Sequence, residues 1–192
     1  MKLYLNGVIS NEGNWGISPI IPDGFHFDGL TPAIRFQKEA SKFYHELEVV
    51  RLAYSRKNTT DLKLTEHGLG LRWEIGAQLN VWPESPRSRL NLGVGLVLPY
   101  NRAQETPLSS ASFLRWESIY GIEISVIPRY TYDLSDCFYL EVNLSMYPLS
   151  YSYHYIFQDD PVLAPRWRHR SYFRSEHTIN AFLLRVGAAM RL

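Results

Sequence analysis

Between Leu69 and Leu98 the chain alternates, residue by residue, between two chemistries. Leu69, Leu71, Trp73, Ile75, Ala77, Leu79 and Val81 fall on one parity, and Gly70, Arg72, Glu74, Gly76, Gln78 and Asn80 on the other. After the turn-forming run from Pro83 to Ser88, Leu90, Leu92, Val94, Leu96 and Leu98 alternate with Asn91, Gly93, Gly95 and Val97. A period of two sends successive side chains to opposite faces of a strand. Two long strands in one hairpin, each with a continuous apolar face and a polar or glycine face, need an apolar medium on one side and a polar one on the other. A small membrane-spanning β-barrel, apolar outside and polar inside, supplies both.

The rest of the chain extends the pattern. Strands are expected at Lys2 to Ser10, Leu30 to Gln37, Phe43 to Ser55, Tyr120 to Leu134, Phe138 to about Tyr155, and His177 to Leu192. The third has no single phase: Leu47 and Val49 share one parity, Val50, Leu52 and Tyr54 the other, and a bulge near Val49-Val50 would reconcile them. Pro128 in the sixth strand lacks an amide donor and is a cost there. Loops are expected at 11–29, 56–68, 101–119 and 158–176, and tight turns at Lys38 to Lys42, after Trp82, and at Ser135-Asp136-Cys137. Connections therefore alternate long and short. The expected fold is all-β: one domain over residues 1–192, an eight-stranded antiparallel up-and-down transmembrane β-barrel with short periplasmic turns and long extracellular loops.

Aromatic residues make up 14% of the chain, with 13 Tyr. Phe36, Phe43, Trp82, Tyr130, Tyr132 and Phe138 flank the short turns. Tyr54, Trp73, Tyr100, Tyr120, Tyr151, Tyr153 and Tyr155 lie toward the long loops. Two such bands are expected at two membrane–water interfaces. A mean hydropathy of −0.22 does not oppose this, because alternation hides the apolar surface. No apolar run approaches the ~18–20 residues of a membrane helix. A net charge of +1 gives no basic character for nucleic acid. Cys137 is the only cysteine, which excludes an internal disulfide and a Cys-x-x-Cys motif. No secretory leader is visible, so the barrel reading implies a mature or truncated form.

Arg72, Glu74, Glu123, Arg129, Asp133, Glu141 and Arg185 share the polar parity of their strands. An Arg facing lipid at mid-membrane costs roughly 2–4 kcal/mol, so these charges are expected to point inward. Eight strands leave an interior just wide enough for side chains to fill, and opposite charges there pair. A plugged polar core, rather than an open channel, follows.

The chain closes on Arg185-Val186-Gly187-Ala188-Ala189-Met190-Arg191-Leu192. This resembles the assembly signal of outer-membrane β-barrels, with Met190 and Leu192 where aromatics are usual. With the alternating segments before it, the chain resembles the small eight-stranded outer-membrane barrels of the OmpA-transmembrane and OmpX type. The resemblance implies the bacterial outer membrane and contact with its lipid and lipopolysaccharide; because the expected strands fill residues 1–192, no peptidoglycan-binding domain is expected.

The most distinctive loop feature is Arg166-Trp167-Arg168-His169-Arg170, with Arg174 nearby. Guanidinium forks suit phosphate, so this run is expected to bind lipopolysaccharide phosphates or an acidic protein partner. The plainer reading is a solvated loop paired with Asp159 and Asp160. His169, Ser171 and Glu176 echo the residue types of barrel acyl hydrolases, but at different spacing. Glu66-His67 and His154 show no metal-ligand spacing, and no glycine-rich phosphate loop or other cofactor motif is present. The expected role is structural, adhesive or accessory, through the extracellular loops or within a larger outer-membrane complex. Lipid acyl hydrolysis and a narrow pore are the alternatives.

Overall fold

The computed structural model describes residues 2–10, 24–38, 41–58, 62–79, 81, 84–85, 87–108, 113–177 and 181–190. Residues 11–23 of the first expected loop, Trp82, Arg191 and Leu192 lie outside these. Nine strands are described: β1 (Lys2–Ser10), β2 (Gly24–Phe36), β3 (Phe43–Asn58), β4 (Leu62–Leu79), β5 (Ser88–Pro107), β6 (Arg115–Asp133), β7 (Phe138–Gln158), β8 (His169–Glu176) and β9 (Ala181–Met190). Each of β1 to β6 pairs antiparallel with the next strand in sequence. The first half of β7 pairs with β9 and the second half with β8. β9 pairs in turn with β1, so the ladders close into a ring. β8 and β9 share one position, which makes the up-and-down sheet eight-stranded.

The strands run further than alternation alone indicates. β5 has 20 residues and β7 has 21, about twice the 9–11 that cross a bilayer. Much of the expected loops is therefore strand. Arg56 pairs with Thr65, Arg102 with Ser118, and Ile156 with Arg170. The expected tight turn between β6 and β7 is present: the Ser135 and Leu134 amides both donate to the Phe138 carbonyl, and Cys137 is a free, exposed thiol there.

Prolines mark where the ladders lapse. The β2–β3 ladder covers only Ala33 to Phe36 against Glu48 to His45, next to Pro32. The β5–β6 ladder skips Leu98 and Pro99. The β6–β7 ladder skips Ile127 and Pro128, and shifts register between Ile124 and Val126, opposite Pro148. A residue without an amide donor loses least where no ladder bond is made; this accounts for Pro128. The expected bulge in β3 is also present, as a register shift between Val50 and Ala53.

The two faces are chemically inverted relative to a water-soluble barrel. Ile34, Leu47, Leu71, Ile75, Val94, Leu96, Leu98, Ile122, Leu140 and Val186 are exposed on the outside, while Arg72, Glu74, Arg129, Glu141 and Arg185 are at most 1% exposed. Phe36, Phe43, Tyr130, Tyr132 and Phe138 are exposed near the short turns, and Tyr54, Tyr120 and Tyr151 toward the opposite end. Trp73 departs from its expected band: it pairs beside Leu47 and Leu96, in the middle of the apolar face.

Candidate functional site

The interior holds a neutral ionic plug. Arg129 reaches Glu46 at 2.8 Å and also pairs with Glu74 and Glu141. Arg72 pairs with Glu48 and lies 3.6 Å from Glu74. Arg185 pairs with Glu48 and donates to Thr31 Oγ1 at 3.0 Å. Arg35 bridges Glu46 at 3.1 Å and Glu141 at 3.3 Å, and sits over the Tyr44 ring. The Tyr44 hydroxyl donates to Glu74 at 2.8 Å, and Arg72 to Ser145 Oγ at 3.0 Å. Arg35, Arg72, Arg129 and Arg185 thus interleave with Glu46, Glu48, Glu74 and Glu141. Burying charge is tolerable only with such pairing and saturation of the remaining lone pairs.

Glycines make the room. A Cβ on Gly76 would overlap the Tyr44 ring, one on Gly93 the Glu74 carboxylate, and one on Gly95 would come 2.6 Å from Ser125 Oγ. Of the expected interior charges, Arg72, Glu74, Arg129, Glu141 and Arg185 meet in the plug. Glu123 is buried apart from it, near Ser150. Asp133 is only half-buried and pairs with Arg89 at 2.5 Å by the short turns. Glu46 and Glu48 were hidden in sequence by the unresolved phase of the third strand. The polar parity Tyr44, Glu46, Glu48 was the available signal.

At the other end, β6, β7 and β8 rise together as a wall. Its outer side is aromatic: Trp116 lies 5.2 Å from Tyr155 and 5.7 Å from Phe157, Tyr153 lies 4.9 Å from Phe173, and His169 lies 5.0 Å from Phe157. Arg102 caps the Trp116 ring at 5.1 Å. The arginine run borders this wall but does not converge on one point. Arg166 and Trp167 are exposed in a 3-10 turn (Pro165–Trp167). Arg168 is tied down, pairing with Asp159 at 3.1 Å and donating to the Leu163 carbonyl at 3.2 Å. His169 Nδ1 meets the Tyr155 hydroxyl at 2.6 Å. Arg170 is exposed on β8, and Arg174 pairs with Glu176 at 2.7 Å. His169, Arg170 and Arg174 are strand residues here, not loop residues. β8 also places His169 and Ser171 on one face and Glu176 on the other, so these three do not assemble.

The inner side of the same wall holds a tight polar cluster. Ser152 Oγ lies 3.0 Å from His154 Nε2, and His154 Nδ1 lies 2.8 Å from Glu117 Oε1. Ser152 and His154 are buried. Tyr172 stacks on the His154 ring at 4.4 Å and 11°. Burial, and then the nearby Glu117 carboxylate, pushes the Tyr172 phenol up from its ordinary value. No group of His, Cys, Asp and Glu suited to a metal ion occurs among the described residues.

Comparison with protein-family models, with curated proteins and with solved structures finds no match to this chain.

Proposed function

We propose that this protein is an integral barrel of the bacterial outer membrane, with a structural, adhesive or accessory role exercised through its long-loop end. One observation carries the reading: the barrel exposes Leu47, Leu71, Val94, Leu96 and Ile122 while burying Arg72, Arg129 and Arg185, with half-buried Arg35, among four glutamates. Water as outer solvent would leave a continuous apolar belt unpaid and the charges needlessly dehydrated; hydrocarbon outside reverses both terms. An apolar recess of about 460 Å³ on this outer face, bounded by Pro32, Ile34, Leu47, Leu71 and Leu98, suits a lipid acyl chain.

The plug argues against a pore, because the lumen's arginines and glutamates pair with one another. The strands overhang a bilayer's thickness, and the overhang is where aromatic rings and arginines are exposed. Rings that stack on sugars and guanidinium groups that fork onto phosphate favour lipopolysaccharide or an acidic partner protein as the contact. Membrane fractionation and heat-dependent gel migration test the placement. A chain that stays monomeric in water without detergent rejects it.

A further inference from the structure

We propose that Ser152, His154 and Glu117 form a Ser–His–acid hydrolytic site, inside the barrel mouth, for short-chain carboxylic esters. The polarity of the contacts is what the chemistry requires. A carboxylate accepts only, so Glu117 fixes the proton of His154 on Nδ1. Nε2 is then an acceptor, and the Ser152 hydroxyl donates to it at 3.0 Å. That is nucleophile, general base and orienting acid in the geometry that activates a serine. A buried imidazole needs a partner on each nitrogen in any role; what bears on catalysis is that one partner is a hydroxyl and the other a carboxylate.

The fold supplies the arrangement. Ser152 and His154 are two apart on β7, so they share a face. Glu117 arrives from β6, on which Ile119 pairs with His154. Tyr172 of β8, paired with His154, stacks on the ring and holds its orientation. Arg174 stands opposite Ser152 in the β7–β8 ladder, on the same face, with its guanidinium on Glu176 at 2.7 Å.

The step closes in atoms and protons. Ser152 Oγ attacks the ester carbonyl carbon as its proton passes to His154 Nε2. The C–O bond breaks, and the alcohol leaves with that proton. Water then attacks the acyl-serine, giving its proton to Nε2. Nε2 returns a proton to Oγ as the carboxylic acid departs. Ser152 and His154 are 6% and 2% exposed, so the space beside them suits only a small acyl group.

The test uses the folded barrel in detergent, with a fluorophosphonate probe and 4-nitrophenyl acetate. The expected result is a single adduct mapped by mass spectrometry to Ser152 of the wild type. Ser152→Ala and His154→Gln should each lower hydrolysis by at least ~100-fold, with Ser171→Ala unchanged. Glu117 acts through His154 as a positioning residue, so Glu117→Gln should lower kcat with KM retained, and Glu117→Asp should recover part of the loss. No adduct on the wild type, an adduct elsewhere, or hydrolysis undiminished in a folded Ser152→Ala protein overturns the proposal. Because the adduct is mapped on the wild type, the test survives a variant that fails to fold. A membrane-inserted barrel without the adduct would overturn this site alone, and a labelled protein soluble without detergent would overturn the membrane placement alone.

Discussion

Gly93 of β5 faces the Glu74 carboxylate of β4 so closely that a Cβ on the glycine would overlap it. The two residues share one volume. The glycine parity of β4 and β5 is therefore a packing requirement of the plug. Gly93→Val should cost roughly 1–3 kcal/mol through overpacking, read as a lower urea midpoint in detergent or lipid. Val94→Ala, one residue away on the outer face, should cost less. Equal midpoints for Gly93→Val and wild type would mean the lumen has space to spare.

Arg129 is the plug's hub, with Glu46, Glu74 and Glu141 around it. Arg129→Met leaves those carboxylates short of a counter-charge and should destabilise the barrel by about 3–5 kcal/mol. Adding Glu141→Gln removes one uncompensated charge and should restore part of that. If the double variant is no more stable than the single, the two residues are not coupled as the distances indicate.

Leu96 lies mid-strand on the outer face, between Trp73 and Ile124 in the ladders. With hydrocarbon outside, Leu96→Arg should cost roughly 2–4 kcal/mol, measured by folding into lipid vesicles. Spin labels at 96 and 124 should be reached by lipid-soluble quenchers and shielded from water-soluble ones. A harmless Leu96→Arg would place water on that face.

Arg166 and Arg170 are exposed, whereas Arg168 is paired with Asp159. Replacing Arg166 and Arg170 with Ser should weaken binding to lipopolysaccharide and reduce its salt dependence, as expected for screened contacts to phosphate. Arg168→Ser should instead loosen the turn after β7. Unchanged affinity in the Arg166/Arg170 double variant would shift attention to the aromatic wall.

The hairpin of β4 and β5 was readable because its two faces meet unlike surroundings. Leu71, Trp73 and Ile75 against Arg72 and Glu74 leave no other period. Toward the long-loop end both faces carry polar or aromatic groups, so the contrast fades while the ladder continues. That is why Asn101 to Pro107 and His169 to Glu176 read as loops and fold as strands. The phase of β3 was obscured by the shift between Val50 and Ala53, which moves Tyr54 outward although it shares a parity with buried Val50. Ser150, Ser152 and His154 form a polar parity against Tyr151, Tyr153 and Tyr155, but alternation alone does not mark them as a site. Nothing local announced Glu117, which reaches His154 through a β6–β7 register reset by the irregularity at Pro148.

The plug also constrains the order of events by which such a barrel can form. Arg185 near the end of the chain depends on Glu48 in β3, and Glu141 in β7 takes a bridge from Arg35 in β2. Strands entering hydrocarbon one at a time from the N-terminus would carry Glu48 across long before its last partner had been delivered. Unpaired charge at that depth is costly, so piecemeal threading is opposed at every step. Closure of β9 onto β1 and neutralisation of the lumen become one event, late and cooperative, and dominated by contacts between distant parts of the chain. Arg185 of β9 is then a latch: the strand that closes the ring onto β1 is also the one that makes the interior electrically complete.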